Sequence, residues 1–509
     1  MTPSGSSDTR AARFPTIARI VATIGPASES AEMVRRLITL GVRVFRFNFS
    51  HGSFEEHGRR LKTVRAVAAE LDMPIAVLGD LPGPKIRCGT VPDGGIDLRV
   101  GQDVIFTRAV DEAELREEHG RRVAVFPTTY PRLIDEVEVG QRVLLNDGAV
   151  RMLSVESVGG ELRCRVTVGG LITTGKGINL PETQISAPAV GPRDWEICQW
   201  AVNHGVDFLA MSFVRRAAEV RDLRAKLEGI CASNPNIAEQ HGSRIPIVSK
   251  IEKPQAVEEI EAIADASDAV MVARGDLGVE MDIAETPVTQ RRIFDACRHT
   301  GTPVIVATQM LETMIESSSP TRAEASDVSN AVYDGSDAVM LSGETAVGKH
   351  PDLVVETMTR IIRATESAMQ KLPRRATPPP MFAAKKYRIA AIAHGAWHVA
   401  QDFAAELVVC WSQQGGIARF LSQNNFRIPV VAYSSDARFT RRMALLGGVS
   451  TFEREAPASI PDWVHMVDAD LVRKGWAHPG SRIVLVAGQP LGVPGSASSI
   501  ITHIVGASD

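Results

Sequence analysis

At 509 residues the chain is too long for one compact core, so two or three domains are expected. A formal charge of −4 argues against a general nucleic-acid or anionic-membrane binder, which needs a basic face. The six cysteines form no CxxC pair and no metal-finger spacing, which fits buried free thiols in a reducing cytosol rather than a disulfide framework.

Residues 1–15 (MTPSGSSDTRAARFP) lack the apolar run of a signal peptide, and no later apolar run is long enough to span a bilayer. They read as a frayed tail on a cytoplasmic protein. Short β-rich runs follow, most of them trailed by a helix-like stretch. The first three lie at 19–24 (RIVATI), 42–47 (VRVFRF) and 74–79 (PIAVLG). After a long gap come 206–211 (VDFLAM), 246–249 (PIVS), 268–273 (DAVMVA), 303–307 (PVIVA) and 337–341 (DAVML). Amphipathic segments at 30–40, 54–71, 217–227 and 287–299 lie between them. Apolar strands alternating with helices mark βαβ units, and eight is the count that closes a (β/α)8 barrel. An open doubly wound sheet is the alternative that periodicity leaves standing.

The barrel is expected to take 16–87 and 187–371. Between them, 88–186 alternates Val, Thr and Leu with Gly and Asp turns, as in VIFTRAV and RVLLNDGAVRMLSVESVGGELRCRVTVGG. That texture predicts a small antiparallel β domain, a β-barrel lid inserted at the face where barrel enzymes place active-site loops. A Pro-rich linker at 372–382 precedes a third domain of α/β type at 383–509, with RIAAIA, AELVVCW, IPVVAY and SRIVLVAG between helical stretches.

In a barrel the chemistry sits where strands end. Strand two runs into Arg46, Asn48, Ser50 and His51, the first three on one side by the period of two. Strand three runs into Asp80, Leu81 and a rigid turn carrying Lys85 and Arg87. Strand five ends in Lys250 and Glu252, strand six in Arg274, Gly275 and Asp276, strand seven in Thr308, and strand eight in Ser342 and Glu344. One such end is explained by a solvated loop or a salt bridge. Six converging on one mouth need partners, because buried charge is costly. Glu252 and Asp276 on adjacent strands can share one hard dication, and Mg2+ suits those donors. There is no Cys/His cluster for zinc, no Ser-His-Asp pattern, no Walker loop and no GxGxxG. Phosphate must then be held by the Arg and Lys side chains and the metal, while the amides of Gly275 and Asp276 suit a substrate carboxylate.

Carried by IVATIGPAS, FRFNFSHG, GDLPGPKIR, LLNDGAV, DFLAMSFVR, SKIEKPQAVEEIEAI, DAVMVARGDLGVE, VIVATQMLETMI and PTRAEASDVSNAVYDGSDAVMLSGETAVGKHP, the chain resembles the pyruvate kinase family. The resemblance implies a (β/α)8 barrel, an inserted lid and a C-terminal α/β domain, usually assembled as a homotetramer. It implies Mg-dependent phosphoryl transfer from phosphoenolpyruvate to ADP, with Mn2+ as a substitute metal. By motif, Arg46 would hold the transferring phosphoryl group and Lys250 would neutralise it in the transition state. Glu252 and Asp276 would bind Mg2+, and Gly275, Asp276 and Thr308 would position the pyruvate moiety. His51, Arg87 and Arg216 would face the nucleotide. Asn48, Ser50, Asp80 and Leu81 correspond to the family's monovalent-cation site, and Thr308 with Ser342 or Glu344 would relay a proton to the enolate.

Two features depart from the family. Lys85 stands where potassium-dependent members have a glutamate, and Leu81 lacks the hydroxyl found there in them. A tethered ammonium can supply the charge of K+, so activity without K+ is expected; a solvated loop charge is the plain alternative. The family's sugar-phosphate effector loop corresponds to 411–416 (WSQQGG), poor in hydroxyls, although the GVPGS turn at 492–496 remains. Activation by fructose 1,6-bisphosphate is therefore not expected, and a phosphorylated-metabolite effector stays open. His394 and His398, four apart, lack a third ligand and read as packed or surface histidines. Competing readings are a metal-dependent aldolase acting on pyruvate, which has no need of Arg87 or the lid, and a catalytically silent metabolite sensor, which has no need of an intact charged set. Neither a membrane nor a nucleic-acid partner is expected.

Overall fold

Ser30 caps the helix Ala31–Leu40 by accepting the Met33 N–H, and Ser53 with Glu56 forms a capping box on Phe54–Glu70. Such helices alternate with short strands buried on both faces, the pattern of a parallel sheet covered all round. The computed structural model describes residues 14–233, 242, 244–371, 388–423 and 428–507. The predicted linker lies wholly outside the described residues, as does most of the N-terminal tail.

Strands β1 (Arg19–Thr23), β2 (Val42–Asn48) and β3 (Ala76–Asp80) open the barrel. The insert then contributes β4 (Ile96–Leu98), β5 (Asp103–Thr107), β6 (Glu114–Glu118), β7 (Arg121–Phe126) and β8 (Arg142–Leu145). It continues with β9 (Val150–Val158), β10 (Glu161–Val168), β11 (Gly170–Ile172) and β12 (Ile178–Asn179). The barrel resumes with β13 (Phe208–Met211), β14 (Ile247–Ile251), β15 (Ala269–Ala273), β16 (Val304–Ala307) and β17 (Ala338–Leu341). These eight strands close in the order β1-β17-β16-β15-β14-β13-β3-β2, every neighbour parallel. An open doubly wound sheet is thereby excluded.

The insert forms a seven-stranded sheet, β12-β8-β9-β10-β5-β7-β6, beside a two-stranded ribbon of β11 and β4. Alternation predicts antiparallel pairing throughout, yet β5 and β7 run parallel because the β6 hairpin turns the chain back outside them.

The C-terminal sheet comprises β18 (Leu407–Trp411), β19 (Val430–Ser434), β20 (Val449–Glu453), β21 (Arg482–Gly488) and β22 (Ala497–Ile504). Its order is β20-β19-β18-β21-β22, with β22 antiparallel. RIAAIA, expected as a strand-like run, instead opens the helix Arg388–Asp402. Alanine is the strongest helix former, and Ala390, Ala393, Ala396 and Ala400 recur at helical spacing on its buried face.

Inside the barrel, Val21, Val44, Leu78, Val248, Met271 and Ile305 pack together, and Leu445 from the C-terminal domain joins that cluster. The third domain thus plugs the end of the barrel where strands begin, leaving the opposite mouth to the insert. No helix among the described residues is long and apolar enough to cross a membrane.

Candidate active site

On β2, Phe45 and Phe47 are buried in the core, so the pleat turns Arg46 and Asn48 the other way. Asn48 lies in register with Asp80 at the end of β3. Arg46 Nε donates to Asp80 Oδ2 at 2.7 Å, Nη2 lies 2.7 Å from the same oxygen, and Nη1 donates to Thr23 Oγ1 at 3.2 Å.

Lys250, on β14, is the hub. Its Nζ lies 2.9 Å from Glu252 Oε1 and 3.3 Å from Asp80 Oδ1, and it donates to Ser212 Oγ at 2.7 Å. Ser212 passes its own proton to the Leu81 carbonyl at 2.7 Å, which fixes the lone pairs it turns to the lysine. Burial favours loss of the ammonium proton, but Asp80 and Glu252 outweigh it and hold the group above the usual lysine range. For Asp80, burial pushes upward while Lys250 and Arg46 more than reverse it, so this carboxyl sits below the ordinary range.

Glu252 is completely buried. Its Oε2 accepts the Phe213 N–H at 2.6 Å, whereas Oε1, though close to Lys250, accepts no hydrogen bond from any described residue. Burial, joined by the field of Asp276 and opposed by Lys250, pushes the Glu252 carboxyl up to about 7. The two carboxylates are therefore short of positive charge, and Glu252 Oε1, with only the ion-paired Lys250 ammonium beside it, can take a further cation. Two carboxylates with a spare lone pair are the donor set that a hard dication takes.

Asp276 lies in the first turn of the helix Arg274–Glu280, directly after β15. Thr308, the residue after β16, has φ +68°, an outlier for a β-branched side chain. That conformation swings its hydroxyl under the helix start, where Oγ1 accepts the Gly275 N–H at 2.7 Å and donates to the Ala307 carbonyl at 2.6 Å. The Gly275 amide, expected to face a substrate carboxylate, is thus already engaged by Thr308. Phe213 has φ +54°, a second strained residue at the same mouth.

The remaining expected residues are spread more widely. Asn48 Oδ1 accepts the Ser50 N–H at 3.1 Å. Leu81 is buried in the barrel core, and its N–H donates to the Ala210 carbonyl. Lys85 is exposed, and its ammonium forms no ion pair among the described residues. His51 and Arg216 are exposed, and Arg216 occupies the N-cap of the helix Ala217–Ala232. Arg87 is exposed and donates to the Gly175 carbonyl of the insert at 2.7 Å. Glu344 is buried and accepts the N–H groups of Ser342 at 2.6 Å and Leu311 at 3.3 Å, while Ser342 Oγ has no hydrogen-bond partner among the described residues. His394 and His398 bring their Nε2 atoms to 3.3 Å, but no group of three or more metal-type side chains exists among the described residues.

Sequence reasoning does not single out Ser212 and Phe213. The strand-end rule, applied to the fourth strand and its MSF, reaches both.

Family models described as "Pyruvate kinase, barrel domain" and "Pyruvate kinase, alpha/beta domain" match residues 16–355 and 390–503. The pyruvate kinase of Mycobacterium tuberculosis is 38% identical over 491 residues, covering 96% of this chain and 99% of that one. That of Corynebacterium glutamicum is 38% identical over 488 residues, covering 96% and 97%. A crystal structure of a pyruvate kinase from Cryptosporidium parvum superposes with a TM-score of 0.85 at 29% identity, covering 98% of each chain.

Proposed function

The chain belongs to the pyruvate kinase family and is a phosphotransferase converting phosphoenolpyruvate and ADP to pyruvate and ATP; from that premise we propose that Lys250, Arg46 and Thr308 carry the reaction. The observation that supports this most is the fixed position of Lys250, held by Asp80, Ser212 and Glu252 at 2.7 to 3.3 Å. Phosphoryl transfer asks a protein to position groups and neutralise charge on oxygens, and a preset ammonium does so without reorganising during the step. Arg46, tied to Asp80, presents the rest of its guanidinium to the transferring group.

The family requires a divalent metal, and here we assign it as Mg2+, with Mn2+ as a substitute, held by Glu252 and Asp276. Held by these two carboxylates, the dication would supply positive charge that offsets the negative charge on the phosphoryl oxygens. Gly275, Asp276 and Thr308 position the pyruvate moiety. Thr308 is the group assigned to hand a proton to the enolate, which requires its hydroxyl to turn from the Ala307 carbonyl, and Ser342 and Glu344 are the further members of that relay. His51, Arg87 and Arg216, all exposed, meet the nucleotide. Residues 16–87 and 187–371 act as the catalytic barrel, 88–186 as its lid and 383–509 as a regulatory domain, in a cytoplasmic homotetramer.

The tethered charge of Lys85 and the missing hydroxyl at Leu81 favour turnover without K+, with Asn48, Ser50 and Asp80 lining that position. Initial rates with phosphoenolpyruvate, ADP and Mg2+, in K+ and in a tetraalkylammonium buffer, test both levels. Rates within about twofold of each other are expected, since one fixed charge replaces another. A many-fold collapse without K+ removes the Lys85 reading, and no ATP formation in either buffer removes the assignment as a whole.

A further inference from the structure

The helix Arg274–Glu280, which carries Asp276, has seven residues, too few to hold itself. Both of its ends are tied down. At its start Arg274 pairs with Asp327 at 2.6 Å and donates to the Thr308 carbonyl at 2.9 Å. At its end Glu280 is completely buried, with Oε1 2.6 Å from the Lys253 ammonium. The same oxygen accepts the Asn179 amide at 2.8 Å. Glu280 Oε2 has no hydrogen-bond partner among the described residues, so the tie runs through Oε1.

Three parts of the molecule meet at that oxygen. Lys253 follows Glu252 directly, and its backbone is extended (φ −121°, ψ 143°), so its side chain leaves on the side opposite Glu252. Asn179 belongs to the insert, where β12 pairs with β8 and sets Asn179 opposite Leu144. Two further contacts follow the same seam. Lys253 Nζ lies 3.5 Å from the Leu180 carbonyl, and Gln255 donates to the Pro181 carbonyl at 3.3 Å. Each carboxylate assigned to the metal thus has a neighbour on its own segment: Lys253 beside Glu252, and Glu280 one turn beyond Asp276. Those neighbours grip each other and the strand by which the insert returns to the barrel.

We propose that Lys253 and Glu280 are positioning residues that hold Glu252 and Asp276 in place for a shared dication, and that Asn179 links that hold to the insert. This rests on the assignment of the metal to Glu252 and Asp276. Groups behind metal ligands set how firmly the ligands are placed, and losing one costs roughly ten- to a hundredfold in metal affinity. The coupling is reciprocal: a metal that gains from the grip must strengthen it.

Binding of Mn2+ to the full chain without substrates, followed by electron paramagnetic resonance, tests this. Glu280→Gln should weaken Mn2+ by about tenfold. Asn179→Ala, which removes one hydrogen bond at a partly buried residue, should weaken it by about threefold. Hydrogen exchange gives a second reading: Mn2+ should slow exchange at Ile178 and Asn179 in the parent and much less at those positions in Asn179→Ala. Because Glu280→Gln leaves the buried Lys253 ammonium unpaired and threatens folding, the double variant Lys253→Met with Glu280→Gln removes both charges, and it should weaken Mn2+ to the same degree. Glu252→Gln and Asp276→Asn are the controls. If both controls bind Mn2+ like the parent, the metal assignment is wrong and this proposal goes with it. If they lose Mn2+ while all three positioning variants bind it like the parent, the metal assignment stands and this proposal falls. If Asn179→Ala alone matches the parent in binding and in exchange, the link to the insert falls.

Discussion

Both ends of the barrel bury charge, and they finish it differently. Where the strands begin, Asp207 accepts from Arg65, Arg441 and the Val77 N–H. Arg19, 2% exposed, donates to the carbonyls of Thr16, Leu446 and Val449. Asp337 accepts from the N–H groups of Val304 and Gly447 and from the Gln423 amide. At the mouth, Glu252 Oε1 and Ser342 Oγ are buried with no hydrogen-bond partner among the described residues, and Thr308 and Phe213 hold strained backbone. A buried polar group without a partner costs on the order of 1–3 kcal/mol, so a fold keeps one only where something else completes it. The paired carboxylates at one end are joinery between domains, with Ser336 Oγ and Arg442 Nε left unpartnered there among the described residues; the carboxylate oxygen left unpartnered at the other is a place for a ligand.

The sharpest way to break this contrast is to remove the central cation at the mouth. Lys250→Met should lower kcat by roughly a thousandfold with a modest change in KM, the mark of an interaction strongest in the transition state. Steady-state rates decide it, and a rise in KM with kcat intact would remove the role given to Lys250.

Leu445→Ala probes the other end. Leu445 is 2% exposed inside the barrel's cluster, and a buried leucine truncated to alanine costs about 2–5 kcal/mol. The thermal midpoint should fall while kcat and KM stay near those of the parent. A stable variant with altered KM would mean that the plug acts on the mouth and not only on the joint.

Ser212→Ala sharpens the comparison within the mouth. It deletes the acceptor that orients Lys250, a hydrogen bond to a charged group, and should cost about tenfold in kcat with little change in KM. Ser212→Thr, which keeps the hydroxyl, should recover most of the rate, whereas equal loss in both variants would indicate packing damage alone.

Much of this was legible before any coordinates. The strand count rests on apolar runs buried on both faces, a signal that survives in one sequence, and the pairing of Lys250 with Glu252 follows from their spacing of two on a strand. The parallel β5–β7 pair was not legible, because alternation reports burial and says nothing about partner direction. RIAAIA misled for a related reason: a short apolar run carries no period of its own, and alanine's helix propensity decided the outcome. Ser212 was hidden because its role lies in a contact across strands, and the Arg441–Asp207 pair because it forms only where two domains meet.

The smallest expected effect concerns the finished charges. Burial outweighs the donors around Asp337 and pushes its carboxyl up to about 6, against about 3.9 for an unfolded aspartate. The native state therefore binds the extra proton. Its contribution to stability is fully present below the unfolded value and is lost as pH rises through about 6. Asp337→Asn keeps a carbonyl acceptor and removes the titration. Between about pH 4 and 7 the parent should lose stability relative to this variant, by at most about 1.4 kcal/mol per pH unit, and the difference should level off above that window. Thermal midpoints measured across that range settle the sign. Parallel curves for parent and variant would show that the donors from Val304, Gly447 and Gln423 match the cost of burial, and a difference growing on the acid side would show that they exceed it.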